Sequence, residues 1–353
     1  MNECPWETLD GGKVSQSACS GNGDDQMRRR ELIAGGLASI ASASSNARAE
    51  APAGAFRLGA IHPVQLMSSA NPFGKMLATK LAAYGYAEGR NLIIDAATPA
   101  GDLRRLPDLI SGIAARGVNA VACVGYPIAL ALKQAGIPTV CIFGVGDPVE
   151  TRLIDSLAHP GGNITGIGDE TATLTTKRLA LLREFAPGIR SIGVLWNRDD
   201  LGMTRRFEAA ALMAGTLGIA VQSHGVREPD DFGTAFAAMD AQLPDAILMV
   251  TDSLTALNRK RVFEFAASRR IPAIYEFDFL LADGGLMSYG PDLSESFERA
   301  SALIDAIFKG AKPANLPFEQ NTRYRFVLNL KAATSLGQPV PLSLLARADE
   351  VIE

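Results

Sequence analysis

Residues 137–144 read IPTVCIFG and residues 271–277 read IPAIYEF. Each is a short apolar run opened by Ile-Pro, rich in the β-branched and aromatic residues that suit a buried strand. Working upstream from each, the same series of elements appears. Before the first run come strand patterns at 56–61, 90–97 and 119–125, separated by helical patterns at 72–86, 103–117 and 127–136. Before the second come strands at 190–197, 219–226 and 245–250, separated by helices at 204–218, 229–243 and 257–270. A strand-helix-strand alternation implies a parallel sheet covered on both faces. Its repetition predicts two similar α/β lobes, joined near HPGGNITGIGDE (159–170). One further helix is expected at 148–158, over PVETRLIDSLA.

The tail departs from the repeat. A strand at 284–292, a helix at 293–313 stopped by Gly310 and Pro313, a strand at 323–330 and a short helix at 331–337 are extra to the second lobe. The chain is therefore expected to cross back to the first lobe, and strands that cross between lobes form a hinge.

Composition is that of an ordinary globular chain: 353 residues, 47% hydrophobic and 20% charged. Lys+Arg 34 against Asp+Glu 38 gives a net charge of −4, without the basic stripe of a nucleic-acid surface. The first 50 residues read differently. Arg28-Arg29-Arg30, a mild apolar stretch from Leu32 to Ile40 and Ala47-Arg48-Ala49 have the order of an export signal, and Arg29-Arg30-Glu31-Leu32-Ile33 resembles a twin-arginine leader. The expectation is a signal at 27–49, cleaved near Ala49-Glu50, starting at Met27 behind a polar, Gly-rich extension at 1–26. The mature chain is then periplasmic. Of four cysteines, Cys4 and Cys19 lie in that extension, while Cys123 and Cys141 sit in apolar runs and read as buried thiols.

Ligands of open parallel sheets bind beyond the carboxyl ends of the strands. Those ends carry His62-Pro63-Val64-Gln65, Tyr126 and Gly146-Asp147-Pro148 in the first half, and Asn197-Arg198, Thr251-Asp252-Ser253 and Glu276-Phe277-Asp278 in the second. Asp169 and Glu170 fall at the junction, and Tyr289 follows the return strand. Such a mixture suits a small polar ligand: Asp147, Asp169, Asp252 and Glu276 for an ammonium, Tyr126, Tyr289, Phe277 and Trp196 for an apolar or aromatic part. Plainer readings stand beside these. Asp147, Thr251, Asp252 and Ser253 are also good helix caps, and a Trp such as Trp196 more often belongs to the core. Glu276 has no capping role in the sequence and is the better functional candidate.

Catalytic patterns are thin. The three histidines, His62, His159 and His224, lack metal-site spacing, and neither a Gly-x-Ser-x-Gly elbow nor a phosphate-binding Gly-x-x-x-x-Gly-Lys-Ser/Thr loop occurs. GVGDPV (144–149) begins like a dinucleotide loop but breaks off at Pro148. A binding protein, needing no cofactor and serving either an importer or, as the alternative, a membrane receptor as its ligand-sensing subunit, fits better than a two-lobed enzyme. A regulator of the same shape needs a DNA-binding helix pair at its N-terminus, which residues 1–55 do not offer.

Several stretches together resemble a known family: GYAEGRNLIID (85–95), GDPVETRLIDSLAHPGGNITGI (146–167), LLREFAPGIRSIGVLWN (181–197), ADGGLMSYGPDL (282–293), IFKGAKPANLPFEQ (307–320) and LARADEVIE (345–353). They resemble the ABC-transporter substrate-binding proteins of the tryptophan/tyrosine-binding-like type. The resemblance implies a type 1 periplasmic binding-protein fold, with two Rossmann-like lobes, parallel sheets, a three-crossover hinge and the ligand in the cleft. It implies lobe 1 at 55–166 plus 286–315, and lobe 2 with the C-terminal hinge elements at 167–285 plus 316–353. It implies amino acids, some aromatic, as ligands, and a membrane permease with its ATPase as partners. Carried onto this chain, the contacts it implies are Gln65, Ser68, Ser69, Tyr126, Asp147, Asp169, Asn197, Thr251, Asp252 and Glu276. Two positions depart: Tyr126 stands where relatives often have a small hydroxyl residue, and Gly146 where they often have Ala, Ser or Thr. A bulky Tyr126 either fills pocket volume or offers a stacking wall.

Overall fold

The structure, a computed structural model, describes residues 54–169 and 172–353. The leader and the signal expected at 1–49 lie outside the described residues, as does Glu170.

The first half runs β1 (Phe56–Ile61), α1 (Pro72–Ala82), β2 (Leu92–Ala97), α2 (Leu106–Ala114), β3 (Ala120–Val124), α3 (Tyr126–Gln134), β4 (Thr139–Phe143) and β5 (Ile164–Gly168). The second runs α4 (Ala172–Phe185), β6 (Ser191–Asn197), α5 (Leu201–Thr216), β7 (Ala220–Val226), α6 (Asp231–Ala241), β8 (Ala246–Met249), α7 (Ser253–Leu257), α8 (Arg259–Arg269), β9 (Ala273–Tyr275) and β10 (Met287–Pro291). The tail adds α9 (Leu293–Phe308), β11 (Glu319–Gln320), β12 (Tyr324–Asn329), α10 (Leu330–Leu336), α11 (Leu342–Leu345) and β13 (Glu350–Ile352).

These strands form two sheets among the described residues, in the orders β11-β5-β4-β3-β1-β2 and β13-β12-β10-β9-β8-β6-β7. The first is parallel throughout. The second is parallel from β7 to β10, then reverses at β12, which runs antiparallel to β10. Strand side chains alternate between two cores. Leu58, Ala60, Ala122, Val140 and Ile142 pack toward α1 and α9, while Ile61, Val121, Cys123 and Cys141 pack toward α2 and α3. Burial on both faces is why these strands read as continuous apolar runs. Cys123 and Cys141 are register partners on β3 and β4, free and buried, with their Sγ atoms 3.7 Å apart.

The chain passes between lobes three times: at Asp169, at Asp292 and at 321–323. The passages are knitted together. Asn321 N–H donates to Gly168 O (3.2 Å), Asp292 N–H to Arg323 O (3.0 Å), and Glu295 accepts from the N–H groups of Thr322 and Arg323.

Three expectations are corrected. The return strand, expected in lobe 1, pairs as β10 with β9 and β12 in lobe 2; it is α9 and the two-residue β11 that return to lobe 1. The expected helix at 148–158 does not form. Asp147 accepts from the N–H groups of Val149 and Glu150, Leu153 and Ile154 both turn back onto Pro148 O, and Arg152 adopts φ 57°, so the segment coils tightly. The junction at 159–170 contains β5, whose two glycines hid it.

Helix α9 joins lobe 1 through an aromatic seam, with Phe297 buried against Phe73 (5.9 Å between centroids) and Phe143 (6.3 Å). Phe297→Ala is expected to lower stability by about 3–5 kcal/mol, measured by urea denaturation. A loss below about 1 kcal/mol would mean that α9 is not integral to the lobe 1 core.

Candidate functional site

The carboxyl ends of the two sheets face each other across a cavity of about 190 Å³. Lobe 1 contributes His62 to Gln65 after β1, Phe73 on α1, Gly125, Pro127 and Ile128 around the start of α3, and Phe143-Gly144 after β4. Lobe 2 contributes Asp200, Thr251-Asp252-Ser253, Arg259, Phe277 and Phe279.

One wall is aromatic. Phe73, Phe143, Phe277 and Phe279 form a closed circuit with adjacent centroids 5.4–5.7 Å apart: Phe73–Phe143 edge-on, Phe143–Phe277 tilted, Phe277–Phe279 stacked and Phe279–Phe73 edge-on. His62 extends it, 5.3 Å from Phe73. Its Nδ1 accepts from the N–H groups of Val64 (3.1 Å) and Gln65 (3.3 Å). An acceptor at Nδ1 places the proton of the neutral ring on Nε2. Burial lowers the His62 pKa to about 4, so the ring is neutral at pH 7 and offers Nε2–H as a donor.

The lining also carries acids. Asp200 caps α5, accepting from Met203 N–H (3.2 Å), and Asp252 caps α7, accepting from Thr255 N–H (2.9 Å). Asn197 Nδ2 holds the other oxygen of Asp252 at 2.6 Å. Burial, followed by the nearby charge of Asp252, raises the Asp200 pKa to about 7, against the hydrogen bonds from Met203 and Gly202 and the charge of Arg206. Thr251 Oγ1 is buried and has no hydrogen-bond partner among the described residues.

Beneath the cavity lies a buried ion network. Arg206 Nη2 meets Asp169 at 2.7 Å and its Nη1 meets Glu276 at 2.9 Å, while Arg178 Nη1 approaches Glu276 at 3.4 Å. Asp169 also accepts from Gly144 N–H (2.5 Å), and Glu276 from Thr251 N–H (2.9 Å).

Of the residues singled out in the sequence, His62, Gln65, Thr251 and Asp252 line the cavity, with Phe277 on its aromatic wall. Asn197 stands behind, steering Asp252. Asp169 and Glu276 face away into the ion network, so the ammonium role expected of Glu276 is corrected: arginines and a backbone N–H hold its carboxylate. Asp147 is exposed and caps its own turn. Ser68 and Ser69 sit in the loop before α1, off the lining, where Ser68 O accepts from Asn71 N–H. Tyr289 is half-buried beside Tyr324, and its carbonyl accepts from Arg178 Nε. Trp196 is a core residue of lobe 2, stacked on Phe207 at 4.5 Å.

Tyr126 and Gly146 meet the other lobe instead of the cavity. A Cβ on Gly146 would lie 3.2 Å from Gly202 O, and one on Gly202 would lie 3.1 Å from Val145 O and 3.2 Å from Tyr126 Cβ. Two glycines thus let the backbone after β4 and the first turn of α5 touch. Sequence reasoning missed Asp200, because α5 was expected to start at 204; an Asp directly before LGM was the available signal. Phe73, Phe143 and Phe279 carry no local signal that separates them from core.

This architecture, a cleft between two α/β lobes with three crossings, is that of the type 1 periplasmic-binding class. The sequence profile of the family described as ABC transporter substrate binding protein matches residues 74–352, and the chain belongs to that family. The tyrosine-binding protein of Clostridioides difficile (strain R20291) is 24% identical over 247 residues, 69% of this chain and 70% of that protein. The solved ABC domain in complex with L-Trp from Streptococcus pneumonia superposes with TM-score 0.78 at 25% identity, covering 84% of this chain and all of that one (100%). A ligand-free, open substrate-binding protein with adhesive properties from Clostridium difficile superposes with TM-score 0.61 at 22% identity, covering 84% and 99%.

Glu276→Gln leaves two buried arginines short of a countercharge, and should cost about 3 kcal/mol of stability by urea denaturation; an unchanged midpoint would show that the network is not needed. For Asp200 the folded-state pKa of about 7 stands above the ordinary 3.8. The folded state therefore holds the extra proton between those values, and stability from this group is lost as pH rises through 7. Asp200→Asn removes that loss, so its stability relative to the parent should climb by up to about 4 kcal/mol between pH 4 and pH 8. A pH-independent difference would place Asp200 in solvent.

Proposed function

We propose that the protein is the periplasmic solute-binding component of an ABC importer, and that it captures an amino acid or aromatic small molecule between its lobes. The observation that carries this reading is the cleft itself, lined by four phenyl rings, two from each lobe, and by two carboxylates of lobe 2. A ligand touching both lobes stabilises the closed arrangement and shifts the population toward it. The surface so completed is what a permease and its ATPase read. Residues 27–49 act as the export signal in this reading, and no described helix is long and apolar enough to cross a membrane. The protein binds and releases its ligand unchanged. Membership of a substrate-binding family supports this, as do the thin catalytic patterns of the sequence.

The test is thermal unfolding of residues 50–353, stripped of co-purified ligand, against amino acids, small aromatics, nucleosides and sugars. A ligand at about 100 times its Kd adds about 2.7 kcal/mol, so a clear rise in midpoint with an amino acid or aromatic compound is expected. A rise with nucleotides alone, or chemical conversion of the bound ligand seen by mass spectrometry, would favour the enzyme reading. Gly202→Ala, which pushes on Val145 and Tyr126 across the lobes, should weaken binding at least tenfold with little loss of stability; unchanged affinity would mean that binding does not need this contact. N-terminal sequencing of the exported protein should begin at Glu50.

A further inference from the structure

Formal charges in the cleft are unevenly distributed. Asp200 and Asp252 both lie on the lining, and among the described residues Arg259 is the only charged base there. Arg259 is already committed: its Nε and Nη2 hold Asp283 at 2.8 and 2.7 Å, and its Nη1 donates to Ala256 O at 2.7 Å. His62 is neutral by burial. The backbone donors of the lobe 1 rim are also in use. Val64 and Gln65 N–H point to His62, Gly125 N–H to Phe143 O, Tyr126 N–H to Gly144 O and Gly144 N–H to Asp169. Pro63 and Pro127 have none. What remains on that side carries no formal charge: the His62 Nε2–H, the Gln65 side-chain amide and the partial positive charge of the first turn of α3.

A zwitterionic amino acid would bring a third carboxylate into a space where two already repel. An ammonium alone finds partners. It has three N–H donors, and the lining supplies the carboxylates of Asp200 and Asp252 and the Thr251 hydroxyl, which is buried without a partner. The rest of the ligand meets phenyl faces.

We propose that the cleft is built for an aromatic primary amine carrying one positive charge and no carboxylate, with its ammonium among Asp200, Asp252 and Thr251 Oγ1 and its ring on Phe73, Phe143, Phe277 and Phe279. This rests on the solute-binding reading above and narrows its substrate class. The amine loses its hydration on closure and regains it as charge-assisted hydrogen bonds. The ring buries apolar area against the aromatic wall, and cation–π attraction to nearby rings adds to it.

The experiment is calorimetric titration of the stripped protein with two matched series: 2-phenylethylamine, L-phenylalanine and 3-phenylpropionate, then tryptamine, L-tryptophan and indole-3-propionate. The amine of each series should bind at least tenfold tighter than its amino acid, about 1.4 kcal/mol, and the acids should not bind measurably. Asp200→Asn keeps the helix cap and should lose at least tenfold in amine affinity. An amino acid that binds as tightly as its amine overturns the amine assignment and leaves the solute-binding role standing. Silence from all six probes overturns both the amine assignment and the aromatic-ligand reading.

Discussion

Arg206 is the residue on which the two rims depend. Its guanidinium lies buried on α5 between Asp169, on the first crossing of the chain, and Glu276, just past β9. Each carboxylate also takes one backbone N–H from the cavity lining, Gly144 from lobe 1 and Thr251 from lobe 2. One cation therefore positions the floor of the site from both sides. Buried charges are costly to desolvate and survive only when paired and hydrogen-bonded. That pairing ties the first crossing, α5 and the end of β9 to one another.

With the floor fixed, closeness between the lobes becomes a question of bulk. Gly146 and Gly202 leave no side chain where α5 approaches the loop after β4, and Tyr126 packs against the same turn. That approach brings Asp200, the cap of α5, onto the cavity, where it meets Asp252 from the cap of α7. The two acids serve helix termini and cleft at once. A carboxylate at a helix N-terminus is stabilised by the helix dipole, yet burial beside Asp252 still raises the Asp200 pKa to about 7. At neutral pH Asp200 is therefore only partly ionised, and a cation beside it would favour its charged form.

Much of the fold was legible. Parallel strands buried on both faces must be apolar along their whole length, so 119–125, 137–144 and 245–250 could be recognised, and the repeated order implied two lobes. Where strands depart from that composition, reading failed: β5 carries Gly166 and Gly168 and looked like a turn, and Asp147-Pro148 suggested a helix start that the chain uses for a compact coil. The site was legible at His62, Gln65, Thr251 and Asp252, because strand termini can be counted. Asp200 was missed by an error of a few residues in a helix start, which local pattern does not resolve.

The sequence by itself determined the α/β class, the duplicated lobes, the return of the chain to lobe 1 and the family, since these follow from periodicity and from motifs spread along the chain. Only the tertiary structure decided what the acids do. Asp169, Glu276, Asp200 and Asp252 look alike as letters at strand or helix ends. Their roles differ because a carboxylate's chemistry depends on what surrounds it: two meet buried arginines and become structural, and two meet an arginine-poor cavity and remain available. The same holds for the phenylalanines, which belong to core or cleft according to partners that lie far away in the chain.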